Sequence, residues 1–380
     1  MENKNILVCN AGSATLKFKL YERGRMGRPL VTGQVERIGL SRSFITVNGK
    51  VFLHTIMNHR SAIRLALSKI GMYGPGLGII GHRVVHGGQL FSSPIIITKK
   101  NLRQIESFSP LAPLHNPKNI EVIKECRKQF PRTKNVAVFD TGIFCSIPEE
   151  YAKYALPLSL SNKLGIKKYG FHGISHGYAA KQAGIQLKKT LRTLNVLTIH
   201  LGNGCSLAAF KKGHAIDSSL GFTPTAGLVM GTRSGDLDPI IPLYIQKKMH
   251  LSPVRVEQIL NNESGLLGLS GFSSDMREIL KAAGYPVVRY VGRPSFSSQQ
   301  RKNAKLALKV FIARLQLYIS AYAGIIGNVH AVVFTGSMGE RSSIIRRLAL
   351  KNLSILRNVP VLVVKTDEEL AIAQACKNIV

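Results

Sequence analysis

Arginine, histidine and carboxylate side chains gather in this chain where glycine interrupts apolar runs. The stretches are Gly81-His-Arg-Val-Val-His-Gly-Gly88, Pro113-Leu-His-Asn-Pro117, Phe139-Asp-Thr-Gly142, Tyr169-Gly-Phe-His-Gly-Ile-Ser-His176 and Gly231-Thr-Arg-Ser-Gly-Asp-Leu-Asp-Pro239. Ser273-Ser-Asp-Met-Arg277, Thr335-Gly-Ser-Met-Gly-Glu340 and Asp367-Glu-Glu-Leu370 follow. Together they offer fixed cations, carboxylates and glycine turns whose backbone amides can face an anion, at the ends of apolar runs where α/β folds hold ligands. Arginine in such a setting suits bidentate contact with carboxylate or phosphate oxygens, which lysine does not reproduce. His172 and His176 stand four apart, a metal-ligand spacing on a helix, but Gly173 between them weakens a helix and no further ligand cluster is evident, so zinc is a poor reading.

The elements that must position these residues begin with a repeat. Ile6 to Tyr21 reads as an apolar strand, a small-residue turn around Gly12 and a second strand in which Leu16, Phe18 and Leu20 alternate with Lys17 and Lys19. Val196 to Lys211 follows the same plan around Gly202-Asn203-Gly204 about half a chain later. Two ordinary tight hairpins would need the same residues, since glycine and asparagine supply positive φ; the spacing suggests duplicated halves. Between and after the hairpins, Gly78 to Val85, Asn119 to Gln129 and Val136 to Phe139 alternate strand with helix as in an α/β fold. Leu237 to Met249, Val254 to Leu260 and Lys302 to Tyr322 have helical spacing. Ala331 to Phe334 reads as a strand, and Tyr285 to Gln300 as an exposed loop.

Bulk properties bound the rest. The chain has 380 residues, 45% hydrophobic and 19% charged, enough for two globular cores and far from a disordered composition. Cys9, Cys126, Cys145, Cys205 and Cys376 lack the short paired spacing of zinc or redox motifs, so a reduced, cytoplasmic setting is expected. Met1 to Asn5 leads into an apolar run too short for a signal peptide. Tyr318 to Phe334, interrupted by glycines, reads as a buried helix and strand rather than a membrane span. Fifty-two Lys plus Arg against 20 Asp plus Glu give +32. The basic residues are scattered, which points to nonspecific polyanion attraction rather than a dedicated nucleic-acid partner.

In order along the chain, Asn10-Ala-Gly-Ser13 with Leu16-Lys17, Gly81 to Gly88, Tyr169 to His176, His200 to Gly204 and Gly221 to Asp236 resemble the motifs of the acetate kinase family. The likeness runs from Asn5 to about Ser274, resumes from Ala304 to Glu340, and again from Pro360 onward. It implies an α/β fold of two duplicated actin-like (sugar-kinase-like, ribonuclease-H-like) domains with an interdomain cleft. The domains are expected at residues 1–142 plus 370–380 and at 143–369, with the last helix folded back onto the first. The implied reaction is reversible, direct in-line transfer of phosphoryl from ATP to acetate, giving acetyl phosphate and ADP, with Mg2+ or Mn2+. A homodimer is implied as well.

By the same resemblance, Arg83, Asp140, His172 and Arg233 are catalytic, and Val85, Leu114, Phe171 and Pro224 line an acetyl-methyl pocket beside Arg83. Lys17, His200, Gly202, Asn203, Gly204, Asp275, Met276, Arg277, Gly336, Ser337, Met338 and Gly339 belong to the nucleotide side. Asn10, Ser13, Thr15 and His115 fall near the transferring phosphate, and Asn10 and Glu368 near the metal, with Asp140 close by. The chain departs from the family pattern in the loop Thr335 to Arg341, in a shortened segment from Arg341 to Pro360, and at Asp367 in place of asparagine. Two rivals remain: a propionate or butyrate kinase, separated by relative kcat/KM across chain lengths, and a catalytically weakened basic polyanion-binding relative, separated by an ADP-release assay.

Overall fold

The computed structural model describes residues 5–71, 76–288 and 290–379; most of the amino-terminal stretch Met1 to Asn5, and Arg289 of the exposed loop, lie outside them. The chain forms two compact units. The first comprises residues up to 145, the short piece 173–178 and the end of the chain from 367; the second comprises 146–172 and 179–366.

The first unit is built on an eight-stranded sheet. In chain order its strands are β1 (Asn5–Ala11), β2 (Thr15–Glu22), β3 (Val31–Glu36), β4 (Phe44–Val47), β5 (Lys50–Leu53), β6 (Leu77–Val84), β7 (Ile95–Ile96) and β8 (Lys134–Phe139), arranged as β5-β4-β3-β2-β1-β6-β8-β7. The expected hairpin is present: β1 and β2 pair antiparallel from Asn5 opposite Glu22 to Ala11 opposite Leu16. Alternation along β1 sends Leu7, Cys9 and Ala11 to a core shared with the His59–Ile70 and Asn116–Gln129 helices, while Ile6 and Val8 pack on the Glu368–Ile379 helix. That last helix returns to the first sheet, seating Ile372, Ala373 and Cys376 against Ile6, Val8, Ile79 and Val136. A Cβ at Gly81 would fall 2.6 Å from Cys376 Sγ, so the strand and the helix approach closely because position 81 carries no side chain.

The second unit repeats the plan with five strands. These are β9 (Val196–Leu201), β10 (Cys205–Lys211), β11 (His214–Ser218), β12 (Ala331–Thr335) and β13 (Val361–Val363), in the order β11-β10-β9-β12-β13. In both units an antiparallel trio opens the sheet and its first strand then pairs parallel with a later one, β1 with β6 and β9 with β12. The duplication inferred from two hairpins is therefore a duplication of topology.

Several boundaries differ from the sequence expectation. The helix expected from Leu237 is Ile240–Lys248, because Asp238 accepts from the Ile240 amide and Pro239 precedes the first turn. The next helix is Pro253–Gln258, capped by Ser252, and passes into a π-turn at Ile259–Glu263. The long helix spans Ser298–Ile326 and starts earlier than expected, at a capping box between Ser297 and Gln300. By length and composition it could cross a membrane; Ala304, Phe311, Leu315 and Ile319 on it are nonetheless buried.

His82 on β6 is almost fully buried and its Nε2 meets Asn135 Oδ1 at 2.8 Å. Burial lowers its pKa to about 4. The unfolded chain takes up a proton near pH 6.5 and the folded one does not until about pH 4, so stability is full above pH 6.5 and falls as pH drops through that window. Comparing chemical denaturation of the wild type and His82→Gln across this range should show the excess slope only in the wild type, amounting to up to ~3 kcal/mol.

Candidate active site

Strand alternation places Asn10 on β1 and Arg83 on β6 on the face covered by the Glu368–Ile379 helix. The Arg83 guanidinium donates through Nε, at 2.9 Å, and through Nη2 to Asp140 Oδ2, and through Nη1 to Asn10 Oδ1 at 3.2 Å. The Asn10 amide in turn donates to Glu368 at 2.9 Å and Glu369 at 2.8 Å. Lys19 bonds Asp367 at 2.7 Å and lies 3.4 Å from Glu369. Burial would lower the Arg83 pKa, but the neighbouring Asp140 and Glu368 charges outweigh it and hold the guanidinium above its ordinary range. Burial pushes the Asp140 pKa up, with the Arg83 charge opposing it, and Asp140 Oδ1 is buried without a hydrogen-bond partner.

Glycine and asparagine set the frame. A Cβ at Gly173 would lie 2.0 Å from the Asp140 carbonyl, to which the Gly173 amide donates. Asn116 and Asn119, both buried, bind the His86 and Val85 amides, and Asn119 also donates to the Ala11 carbonyl. These amides tie the turn of the first hairpin to the segment after Arg83. In the same unit Val85 is buried, Leu114 is exposed and His115 is the residue before the Asn116–Gln129 helix. Ser13 is exposed at the hairpin turn, its carbonyl accepting from Lys118 Nζ at 2.6 Å; Thr15 and the exposed Lys17 start β2.

The second unit carries the other arginine. His172 precedes the Gly173–Gln186 helix with φ 58°, a left-handed conformation that costs a non-glycine residue free energy and clusters at functional sites. Because it stands outside the helix, the four-residue spacing to His176 does not place the two rings on one helical face. His172 Nδ1 pairs with Ser206 Oγ at 2.9 Å, and its ring packs on His200 at 4.6 Å between centroids. A Cβ at Gly204 would lie 3.1 Å from His172 Cε1 and 3.6 Å from Arg233 Nη1. The bare turn Gly202-Asn203-Gly204 is thus what lets His172 and Arg233 approach one point. Arg233 donates to the Pro224 carbonyl at 3.2 Å, and among the described residues no carboxylate pairs with it. Burial pushes its pKa down. Arg83 has its counterion, whereas Arg233 is half-buried with no carboxylate beside it among the described residues. Phe171 is buried beside His172 in sequence.

The nucleotide-side residues also cluster by unit. A Cβ on Gly202 would contact His200 and Ser337, and one on Gly231 would strike Asn203 and approach Ser274. Asp275 caps the Met276–Ala282 helix by accepting from the Arg277 amide, and pairs with the Arg277 side chain. The stretch read as a loop from Thr335 to Arg341 is instead a short helix, Gly336–Arg341, beginning directly after β12. Thr366 bridges Thr335, the Gly336 amide and Glu340 to hold it. Sequence reasoning assigned no role to Glu369, Ser206, Lys118, Asn116 or Asn119; Asn116 and Glu369 had a signal, since Pro113 to Pro117 and Asp367 to Leu370 were singled out, and the others become visible only through long-range contacts.

Two glycine turns head matched α/β units, one unit holding a carboxylate-bound arginine network and the other an arginine with no carboxylate beside it among the described residues, a pattern that suits anionic ligands. Comparison with known proteins narrows it. The acetokinase family profile matches residues 5–358. The chain is 40% identical over 408 residues to an acetate kinase of Clostridium novyi, covering 99% of this chain and 98% of that one. It superposes on the crystal structure of Porphyromonas gingivalis acetate kinase with TM-score 0.87 at 35% identity, covering 99% of both. A propionate kinase from Francisella tularensis gives TM-score 0.89 at 36% identity, over 99% of this chain and all (100%) of that one. The chain belongs to the acetokinase family.

Gly336 supplies a stability test of the second turn. Its φ is +79°, and a Cβ there would lie 2.6 Å from the Leu201 carbonyl. Gly336→Ala should destabilise the second unit by ~1–3 kcal/mol. Gly324, in the Ser298–Ile326 helix with open space around it, should gain up to ~1 kcal/mol on replacement by alanine. Equal effects of the two substitutions in thermal denaturation would count against the turn geometry described.

Proposed function

We propose that this protein is an acetate kinase, transferring the terminal phosphoryl group of ATP to acetate, reversibly. An acetate oxygen forms a bond to the γ-phosphorus as the bond to the β,γ-bridging oxygen breaks, giving acetyl phosphate and ADP. A carboxylate is already nucleophilic, so no base has to remove a proton. What the protein must supply is position and neutralisation of charge on the equatorial oxygens.

The observation that carries the phosphoryl-transfer role is the contrast between the two arginines, one paired with Asp140 and one half-buried with no carboxylate beside it among the described residues. Arg233 is assigned to the transferring phosphoryl group and Arg83 to the substrate carboxylate. His172, oriented through Nδ1 by Ser206, is the hydrogen-bond donor to the phosphoryl. Val85, Leu114, Phe171 and Pro224 take the acetyl methyl. Gly202 to Gly204, His200, Asp275 to Arg277 and Gly336 to Gly339 take the nucleotide, with Lys17, Ser13, Thr15 and His115 near its phosphates.

The donor set fits a hard divalent cation: Asp140 Oδ1 is buried without a partner and Glu368 stands half-buried beside Asn10. Asn10 and Glu368, with Asp140 behind them, would hold Mg2+ or Mn2+, which when bound neutralises nucleotide phosphate charge. Five free thiols support a reducing, cytoplasmic location. The +32 charge is taken as a surface property giving nonspecific polyanion attraction, with no membrane or dedicated nucleic-acid partner.

Arg233→Ala should lower kcat ~10^3-fold or more with the fold intact, and Arg233→Lys should not restore it. Arg83→Ala strands a buried carboxylate and should also cost ~3–5 kcal/mol of stability, so Arg83→Ala/Asp140→Asn is the cleaner test of its role. The assay is ADP release with a panel of short carboxylates. Acetate should give the highest kcat/KM, with propionate lower by ~10- to 200-fold. A propionate optimum would move the assignment to its sister activity, and turnover that ignores both arginines would refute the assigned roles.

A homodimer is the proposed assembly, supported by exposed Ile240, Ile241, Leu243 and Tyr244 on one short helix. Light scattering should return twice the chain mass, falling toward the monomer in Ile240→Asp/Tyr244→Asp; a monomeric wild type would contradict it.

A further inference from the structure

Behind the strands that carry Asn10 and Arg83 lies a second cluster that the proposed reaction does not use. Cys9 precedes Asn10 on β1, His82 precedes Arg83 on β6, and the two are register partners across the parallel pair. Alternation turns both to the opposite face from Asn10 and Arg83, where Cys126 of the Asn116–Gln129 helix packs. All three are at most 1% exposed. Their sulfurs and one His82 ring nitrogen lie within 4.8 Å of one another. Among the described residues no other group of three histidines, cysteines or carboxylates comes together in this way.

A second observation points to a ligand. His82 Nε2 is held by Asn135 Oδ1, whereas Nδ1 is buried with no hydrogen-bond partner. An imidazole that gives one N–H to a neighbouring oxygen presents the other nitrogen's lone pair, which is how metal-ligating histidines are oriented. Two sulfurs and an imidazole suit soft or borderline ions and reject hard oxygen-seeking ones such as Mg2+.

We propose that Cys9, Cys126 and His82 form a site for one thiophilic d10 cation of the zinc or cadmium type. Binding releases the two thiol protons, and the two thiolates cancel the charge of a divalent ion, so the complex adds no net charge to an apolar core. The three protein ligands leave the fourth tetrahedral position to a small ligand. The ion would staple β1, β6 and the Asn116–Gln129 helix, and thereby the backbone that presents Asn10 and Arg83. Cysteine spacing gave no sign of it, because Cys9 and Cys126 meet only through the packing of strand and helix.

The test is titration of the reduced, chelator-stripped full chain with Cd2+, in a Cys145→Ser background that removes the exposed thiol. Thiolate-to-metal charge-transfer absorption should saturate at one equivalent, and the thermal midpoint should rise with it. Cys9→Ser and Cys126→Ser should each weaken binding by at least ~100-fold, and Asn135→Ala, which frees the His82 ring, by ~10- to 100-fold. Cys205→Ala, which removes a buried thiol elsewhere, should change nothing, and circular dichroism shows which variants are folded. No stoichiometric band in the parent, or a band that survives in folded Cys9→Ser and Cys126→Ser, overturns the proposal.

Discussion

A guanidinium taken out of water must be met by negative charge, and the first unit is arranged around that requirement at Arg83. Asp140 accepts two of its N–H groups, Asn10 a third, and Asn10 passes the connection to Glu368 and Glu369 on the last helix. The chain's two ends are joined through this network, and the close approach at Gly81 lets the last helix lie low enough to reach it. Breaking such a pair by removing one partner strands a buried charge, so the network also holds β6 and the end of β8 together.

The second unit solves the opposite problem. Its arginine is half-buried with no carboxylate beside it among the described residues, and backbone and sulfur acceptors from Pro224 and Met230 only partly satisfy it. That arrangement suits a protein that binds anions, since an arriving oxygen finds a cation already partly withdrawn from water and not neutralised by a carboxylate. His172, held in a left-handed conformation with its ring fixed by Ser206, adds a second strained but fixed group at the same glycine turn. Duplication of one strand order has thus given two glycine hairpins with different electrostatics.

Much of this was legible before the structure. Periodicity located both hairpins, β6, β8 and the long helix, and Arg83, His172 and Arg233 fell in the glycine-rich polar stretches that interrupt apolar runs. The helix starts at Ile240 and Ser298 were misplaced because Asp238 and the Ser297 capping box act locally in ways that apolar spacing does not record. The Gly336–Arg341 helix was missed because Thr366, thirty residues away, supplies its hydroxyl contacts. Asn119 and the Cys9–His82–Cys126 cluster escaped for one reason: each is defined by partners that only tertiary packing brings near.

If Arg233 stabilises charge as it develops on the transferring phosphoryl group, as proposed, calorimetry will register it. Binding of ADP, Mg2+, aluminium fluoride and acetate together imitates the point of transfer, and in the wild type this combination should bind ~10^2-fold or more tighter than ATP. Arg233→Lys should lose that excess while keeping the wild-type affinity for ADP alone. An excess undiminished in Arg233→Lys would contradict the account.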